Sequence, residues 1–417
     1  MTSIINNSNA NSALINTINA SQSKMNPNVY STKKIYPSSA VTYVKTQKSS
    51  GSFGANQTMV FDLMKYGIAQ QILLCYTKTG NATTKIGGFD FMDVIDRVEL
   101  LSSSKVIDTL TNADLACMWS DLDTSQFNIV NKSAIGERDV NEYGGVGVSK
   151  HQFVLPLRFG LLSDINTQLN LQFNEPMSIR IRFGANPKQH TAGGEPTIAD
   201  DDVFLKMRYK AYNEADFSEV LAENYNEPEL NQMSTGFYDE SVVTKKFTAA
   251  AAATSQRMDL TQPGVKVELK NTDCVNNFYV LVKRQGVGAN GGASANYLPS
   301  AILRVRLTAS GQEIFDLEGE ELFYSKLCMN GYSTLANTAT ALGNISKVQT
   351  GLWEYADGGT QSNTLSLREL NNPIMEVWFV YDTINGDTLY DVTIAEDAVK
   401  IYSTTSATGR LQVALTN

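Results

Sequence analysis

Histidine is almost missing from this sequence, with two residues, His151 and His190, among 417. The first opens an alternating segment and the second sits in a glycine-rich loop; neither belongs to an HxH, HExxH or His-x-carboxylate pattern. Metal and general-base chemistry leans on such patterns, so both read as histidines without a chemical role. Cysteine is scarce too. Cys75, Cys117, Cys274 and Cys328 have no CxxC spacing and lie beside apolar neighbours, which reads as buried free thiols from a reducing compartment of assembly rather than a disulfide framework. Charge is low at 18% of residues, and its balance is acidic, with 34 Lys and Arg against 43 Asp and Glu, a formal net charge of −9. That argues against a broad phosphate-neutralising surface and hence against direct nucleic-acid binding. The small basic group Lys245-Lys246-Phe247 reads as a solvated strand end. No stretch approaches the roughly 18 apolar residues that span a bilayer, and the N-terminus lacks the basic start and continuous apolar core of a signal peptide. A soluble chain is expected.

Three further motifs fail on their context. Gly286, Gly288 and Gly291 spell GxGxxG after a strand, but a dinucleotide site needs a helix to begin there, and the sequence instead runs through Pro299 into another strand. GGVGVSK, ending at Lys150, has the wrong glycine spacing for a phosphate loop, with His151 in place of Ser or Thr. Asp200-Asp201-Asp202 lacks the alternate spacing and turn glycine of a calcium loop and reads as solvated charge. There is no Gly-x-Ser-x-Gly. Asn-x-Thr triplets such as Asn56-Gln57-Thr58 and Asn81-Ala82-Thr83 follow from the composition. No catalytic, cofactor-binding or metal residue is expected, and no cofactor.

What the sequence has in quantity is Thr, Ser, Asn, Val, Tyr and Gly, in short period-two segments separated by polar turns, which predicts a mostly β protein. From Val41 the strands read VTYVKTQ, TMVFDLM, QQILLCYTKT, IDRVELL and KVIDTL, the last two joined by a Ser hairpin. A short helix is expected from Asn112 to Trp119, then strands at HQFVLPLRF, TQLNLQF, MSIRIRF and VFLKMRYKAY. Residues 214–238 read as a linker helix, with Phe217, Val220 and Leu221 on one face and Pro228 as its stop.

The second half repeats this programme. Arg97-Val98 aligns with Arg304-Val305, Leu100 with Leu307, Ser103 with Ser310, Ile107 with Ile314 and Leu115 with Leu322; after a short insertion Cys117-Met118 aligns with Cys328-Met329. Leu169-x-Leu171 followed by Asn174-x-Pro176 aligns with Leu365-x-Leu367 followed by Asn371-x-Pro373. A period near two hundred residues is far longer than the roughly 20 to 50 of solenoids and propellers. It denotes a duplicated domain, and eight strands with a short helix fit a jelly roll. The expected division is an N-terminal arm at 1–40 carrying the stripe Ile4, Ile5, Leu14, Ile15 and Ile18, a first roll at 41–213, the linker helix at 214–238, a second roll at 239–403 and a tail at 404–417.

Two tandem rolls, each with a short helix, joined by a linker, preceded by an arm and lacking a catalytic constellation, resemble the double jelly-roll major capsid proteins of membrane-containing icosahedral double-stranded DNA viruses. The run VIDTLTNADLACMW ending at Trp119, then VLPLRF, then a strand after Asn174-x-Pro176, is similar to the large-DNA-virus and virophage pattern. The resemblance implies a homotrimer forming a pseudo-hexameric capsomer, in contact with neighbouring capsomers, penton and minor capsid or cement proteins, with the arm near an internal viral membrane. It also implies a virion location after assembly in the host cytoplasm. By this reading 136–150, 186–202, 285–299 and 333–344 are tower or inter-capsomer loops. The alternatives are a receptor- or carbohydrate-binding virion spike and a bicupin-type enzyme; the latter requires a His and carboxylate cluster that two separated histidines do not supply.

Overall fold

A computed structural model describes residues 41–47, 50–81, 84, 91–120, 148–163, 169–172, 174–188, 194–211, 229–236, 242–249, 256–270, 274–285, 302–319, 321–322, 345–349, 365–381, 389–405 and 409–415. Among the described residues the first half supplies ten strands: β1 (Val41–Gln47), β2 (Ser50–Gly51), β3 (Thr58–Asp62), β4 (Ile68–Asn81), β5 (Ile95–Ser102), β6 (Lys105–Thr111), β7 (Val148–Pro156), β8 (Leu169–Asn170), β9 (Met177–Phe183) and β10 (Val203–Ala211). They form one sheet in the order β1-β10-β4-β7, with β8 beside β4, and a second in the order β2-β3-β9-β5-β6. The alternation seen in the sequence sets which side faces in. In β9, Met177, Ile179, Ile181 and Phe183 are buried while Arg180 and Arg182 point out, as period-two geometry requires. Ile72, Leu74 and Leu205 from the first sheet meet Val98, Leu100 and Ile181 from the second in one core.

The second half supplies β11 (Glu229–Gly236), β12 (Val242–Thr248), β13 (Gln256–Arg257), β14 (Val265–Glu268), β15 (Cys274–Gln285), β16 (Ile302–Ala309), β17 (Gln312–Glu318), β18 (Ile345–Gln349), β19 (Leu365–Ser366), β20 (Pro373–Tyr381), β21 (Leu389–Thr405) and β22 (Leu411–Leu415). One sheet runs β11-β21-β15-β18, with β12 and β22 also on β21 and β19 on β15; the other runs β13-β20-β16-β17, with β14 on β20. The core between them includes Val280, Val282, Val305, Leu307, Val377 and Ile394. The pairing β10-β4-β7 therefore recurs as β21-β15-β18, and β3-β9-β5-β6 recurs as β14-β20-β16-β17. This is a double jelly roll, as the sequence predicted.

The repeat extends to individual registers. Val98 faces Leu110 and Ile181, and Val305 faces Leu317 and Val377. The β5–β6 pairing shifts between Leu100 and Leu101, and the β16–β17 pairing shifts at the matching place, between Leu307 and Thr308. Each hairpin turns on a serine held at positive φ, Ser103 at 54° and Ser310 at 49°. Gly311, at φ 78°, gives the second turn two successive left-handed residues, the requirement of a type I′ hairpin. Polar partners are conserved in position but exchanged in sign. Glu99 faces Arg180 and pairs with it, whereas at the same places Arg306 faces and pairs with Glu376.

Among the described residues the first roll has three short helices: α1 (Phe91–Val94), α2 (Asn112–Ser120) and α3 (Gly160–Ser163). The start of α2 is fixed by a reciprocal cap. Asp114 Oδ2 accepts from the backbone N–H and hydroxyl of Thr111, both at 2.8 Å, and the Asp114 N–H donates to Thr111 Oγ1 at 3.3 Å. Leu115, Ala116 and Cys117 then enter the core.

Several expectations are corrected. Within the linker helix expected at 214–238, Glu229–Gly236 is a strand, β11, lying along Ala398–Thr405 of β21; the remainder of that segment apart from these residues lies outside the described ones. Its alternation in ELNQMSTG is too polar to signal a strand, and pairing with β21 decides its conformation. The expected start of the second roll at 239 accordingly misses β11. The tail at 404–417 contains β22, which pairs with Lys400–Thr404. In the expected strand TQLNLQF the described strand residues are the two of β8, and β19 in the second roll is equally short, continuing into a 3-10 turn at Leu367–Glu369. The Asn-x-Pro alignment is displaced by one residue: Met177, not Pro176, occupies the place of Pro373, since Met177 faces Ser102 and Pro373 faces Ala309.

Candidate functional site

β21 is a single 17-residue strand, and its length creates the feature that distinguishes this molecule from two beads on a string. Its first part pairs with β15 and β12, while its last part runs on between β11 and β22 and packs against the first roll. Tyr402 and Leu411 belong to the first roll's core, together with Tyr279, Leu281 and Ala395 from the outward side of the second roll's β21-β15 sheet. Helix α2 of the first roll packs on β15 and β21, and α3 packs on β11. The two rolls thus share one continuous apolar seam.

A buried charge lies inside it. Asp108 on β6 is 3% exposed, and its side chain meets that of Lys400, 2% exposed, with Nζ 2.7 Å from Oδ1. The Tyr402 hydroxyl donates to the same carboxylate, 2.8 Å from Oδ2 and 3.0 Å from Oδ1, and the Gly160 N–H donates to Oδ2 at 3.3 Å. Both carboxylate oxygens are therefore met by donors, and the four groups come from three elements, β6, α3 and β21, that this tertiary arrangement brings together. Gly160 is required by contact: a Cβ there would lie 1.9 Å from the Tyr402 oxygen. Nearby, Asn277 Nδ2 donates to Asp397 Oδ2 at 3.1 Å, holding β15 to β21 at the edge of the seam.

Burial and the Asp108 charge hold the Tyr402 phenol well above its ordinary 10.0, and burial pushes the Cys75 thiol up from 9.0 to about 11, against a smaller opposing pull from Lys206. Both folded forms hold their proton more tightly than the unfolded chain. Their contribution is complete below the unfolded values and is lost as pH rises from about 9 for Cys75 and about 10 for Tyr402 toward the folded values, at about 1.4 kcal/mol per pH unit per group. Urea titrations at pH 8 and pH 10.5 should show a marked fall in stability, and Tyr402→Phe and Cys75→Ala should each flatten that fall.

The sequence-predicted features are placed as follows. His151 lies on β7 opposite Lys78; His190 and the Gly286, Gly288 and Gly291 loop lie outside the described residues. Lys150 is in strand β7, so no helix follows GGVGVSK. Asp200 Oδ1 accepts from the Phe53 N–H at 2.6 Å and Asp202 Oδ2 from the Ala199 N–H at 3.0 Å, which uses these carboxylates to shape the loop. Cys75 and Cys117 are buried, and Cys274 is half-buried. Lys245 and Lys246 are exposed on β12, while Phe247 packs edge-on against Phe379 at 5.4 Å. Among the described residues no group of three His, Cys, Asp or Glu is placed to hold a metal, and no helix is long and apolar enough to cross a membrane. The arm stripe and most of the expected tower loops lie outside the described residues.

Two jelly rolls of matching register, fused through a buried seam, define the double jelly-roll fold. No protein-family model matches the sequence, and no curated protein matches it. Solved structures do. VP54 of PBCV-1, fitted into a reconstruction of the virophage Sputnik, is similar over 93% of this chain and 100% of its own, at TM-score 0.64 and 11% identity. The Faustovirus major capsid protein is similar over 89% and 91%, at 0.60 and 8%, and the mavirus major capsid protein over 92% and 92%, at 0.53 and 10%.

Proposed function

We propose that this chain is a viral major capsid protein whose homotrimer forms a pseudo-hexagonal capsomer tiling an icosahedral shell. The observation that carries the reading is the register-for-register duplication locked by the Asp108–Lys400 seam. Three copies of a rigid pair of like rolls place six similar units about a threefold axis, which fills a sixfold position in a facet. The likeness to capsid proteins over nearly the whole length supports it. An enzyme or a spike has no need for two rolls of matched register in tandem.

In this role the partners are other copies, neighbouring capsomers, and penton and minor capsid or cement proteins. The arm at 1–40 contacts a neighbour or an internal membrane, and no nucleic acid is bound directly. The location is the virion shell, assembled in the host cytoplasm, and the role is structural, without catalysis. Purified full-length protein should scatter light as a particle of three times 45.7 kDa and give pseudo-hexagonal particles in negative stain. A monomer at every salt concentration overturns the proposal.

A further inference from the structure

The outward side of β21-β15 in the second roll is covered within the chain, by α2 of the first roll. Tyr279, Leu281 and Ala395 on it are 3%, 2% and 1% exposed. The registers identify the matching face of the first roll. Tyr279 facing Ala395 corresponds to Leu73 facing Lys206, Leu281 facing Thr393 corresponds to Cys75 facing Phe204, and Asn277 facing Asp397 corresponds to Gln71 facing Arg208. On that face Leu73, Phe204, Val154 and Pro156 are half-buried, and Gln71, Lys206 and Arg208 are exposed. It is a part-apolar sheet face in which Cys75 is buried and two exposed cations stand on β10, between β1 and β4, with Lys206 over the Phe204 ring at 5.8 Å.

The complement is present one repeat later. In the first roll, the covering element starts at Thr111 and Asp114. By register, Thr111, which faces Arg97, corresponds to Glu318, which faces Arg304, and Asp114 corresponds to Glu321. Glu318 and Glu321 are both exposed, with the Glu318 N–H donating to Glu321 Oε2 at 3.4 Å. The second roll therefore carries an acidic corner where the first roll carries the edge that seats on its neighbour.

We infer that a second copy of this chain seats the Glu318–Glu321 corner of its second roll on the outward β10-β4-β7 face of the first roll, with Lys206 and Arg208 facing the two glutamates. The contact within one chain is thereby repeated between chains. A repeated contact of this kind lets two-roll units close into a ring, because each copy presents exposed cations on its first-roll face and an exposed acidic corner on its second roll. Opposite charge at the contact selects this pairing over first roll on first roll.

This inference rests on the trimeric reading above, and light scattering separates the two. Full-length wild type should be trimeric. Lys206→Glu with Arg208→Glu should shift the concentration for half-dissociation upward at least tenfold, with an unchanged circular dichroism spectrum. Adding Glu318→Lys and Glu321→Lys to that chain should bring it back. Each single reversal, at an exposed position, should give a smaller shift in the same direction, so a folding defect in the double variant does not decide the outcome. A trimeric wild type with reversals that leave dissociation unchanged overturns this interface alone. A monomeric wild type overturns the interface and the proposed function together.

Discussion

Replacing Lys400 by Met should cost the folded chain about 3 to 5 kcal/mol, the range for removing one partner of a buried ion pair. The charge left behind is what makes the loss large. Asp108 is enclosed between the rolls, and without the ammonium it keeps only the Tyr402 hydroxyl and the long Gly160 N–H contact. Asp108→Asn should be harmful for a related reason: it removes the negative charge that meets the Lys400 ammonium, and of the three donors around the side chain only the Tyr402 hydroxyl can turn to accept from an amide NH2. The triple change Asp108→Leu, Lys400→Met and Tyr402→Phe removes charge and hydroxyl together and should recover most of the stability, since well-packed apolar replacements of buried pairs are often neutral or better. Urea midpoints of the three variants provide the check. A Lys400→Met chain as stable as wild type, within about 0.5 kcal/mol, sinks the assignment of the seam as a structural lock. Because the seam joins the rolls, the single variants should also lower the m-value or split the transition in two, as cooperativity between halves is lost.

Gly160→Ala is expected to be of similar severity, about 3 kcal/mol or more, through overpacking rather than charge. The new Cβ would stand 1.9 Å from the Tyr402 oxygen, 2.6 Å from its Cζ and 2.8 Å from Cε2. Removing the hydroxyl is not enough, because Cζ remains too near, so Tyr402→Phe should fail to rescue. Tyr402→Leu should rescue in part. Gly236 is the control on the facing strand: a Cβ there would meet Gly160 Cα at 3.4 Å and the Tyr402 oxygen at 3.6 Å, ordinary contacts. Gly236→Ala should change the thermal midpoint little, while Gly160→Ala lowers it strongly.

These two predictions concern residues that the sequence did not advertise. The β5–β6 hairpin, the capped helix α2 and strand β9 were legible because their alternation and capping residues are local. Asp108 and Lys400 were not, because their pairing joins positions far apart in the chain, and each reads by itself as an ordinary polar strand residue. One signal was available. The repeat sets Asp108 against Phe315, and a carboxylate where the duplicate has an aromatic on a shared backbone indicates a changed environment. β11 and β22 were missed for a different reason: their alternation is weak, and they become strands because β21 offers unpaired edges to both.

The exchanged ion pairs have a consequence for how such a chain folds at high concentration. Two sheets of the same register in one polypeptide invite strands to join the wrong partner, within a chain or between chains. If β5 took β20 as its neighbour in the homologous register, Glu99 would meet Glu376; if β16 took β9, Arg306 would meet Arg180. Like charges directly opposite on a sheet repel. Glu99, Arg180, Arg306 and Glu376 thus act as a label on each half, so that strands of the same shape recognise which copy they belong to.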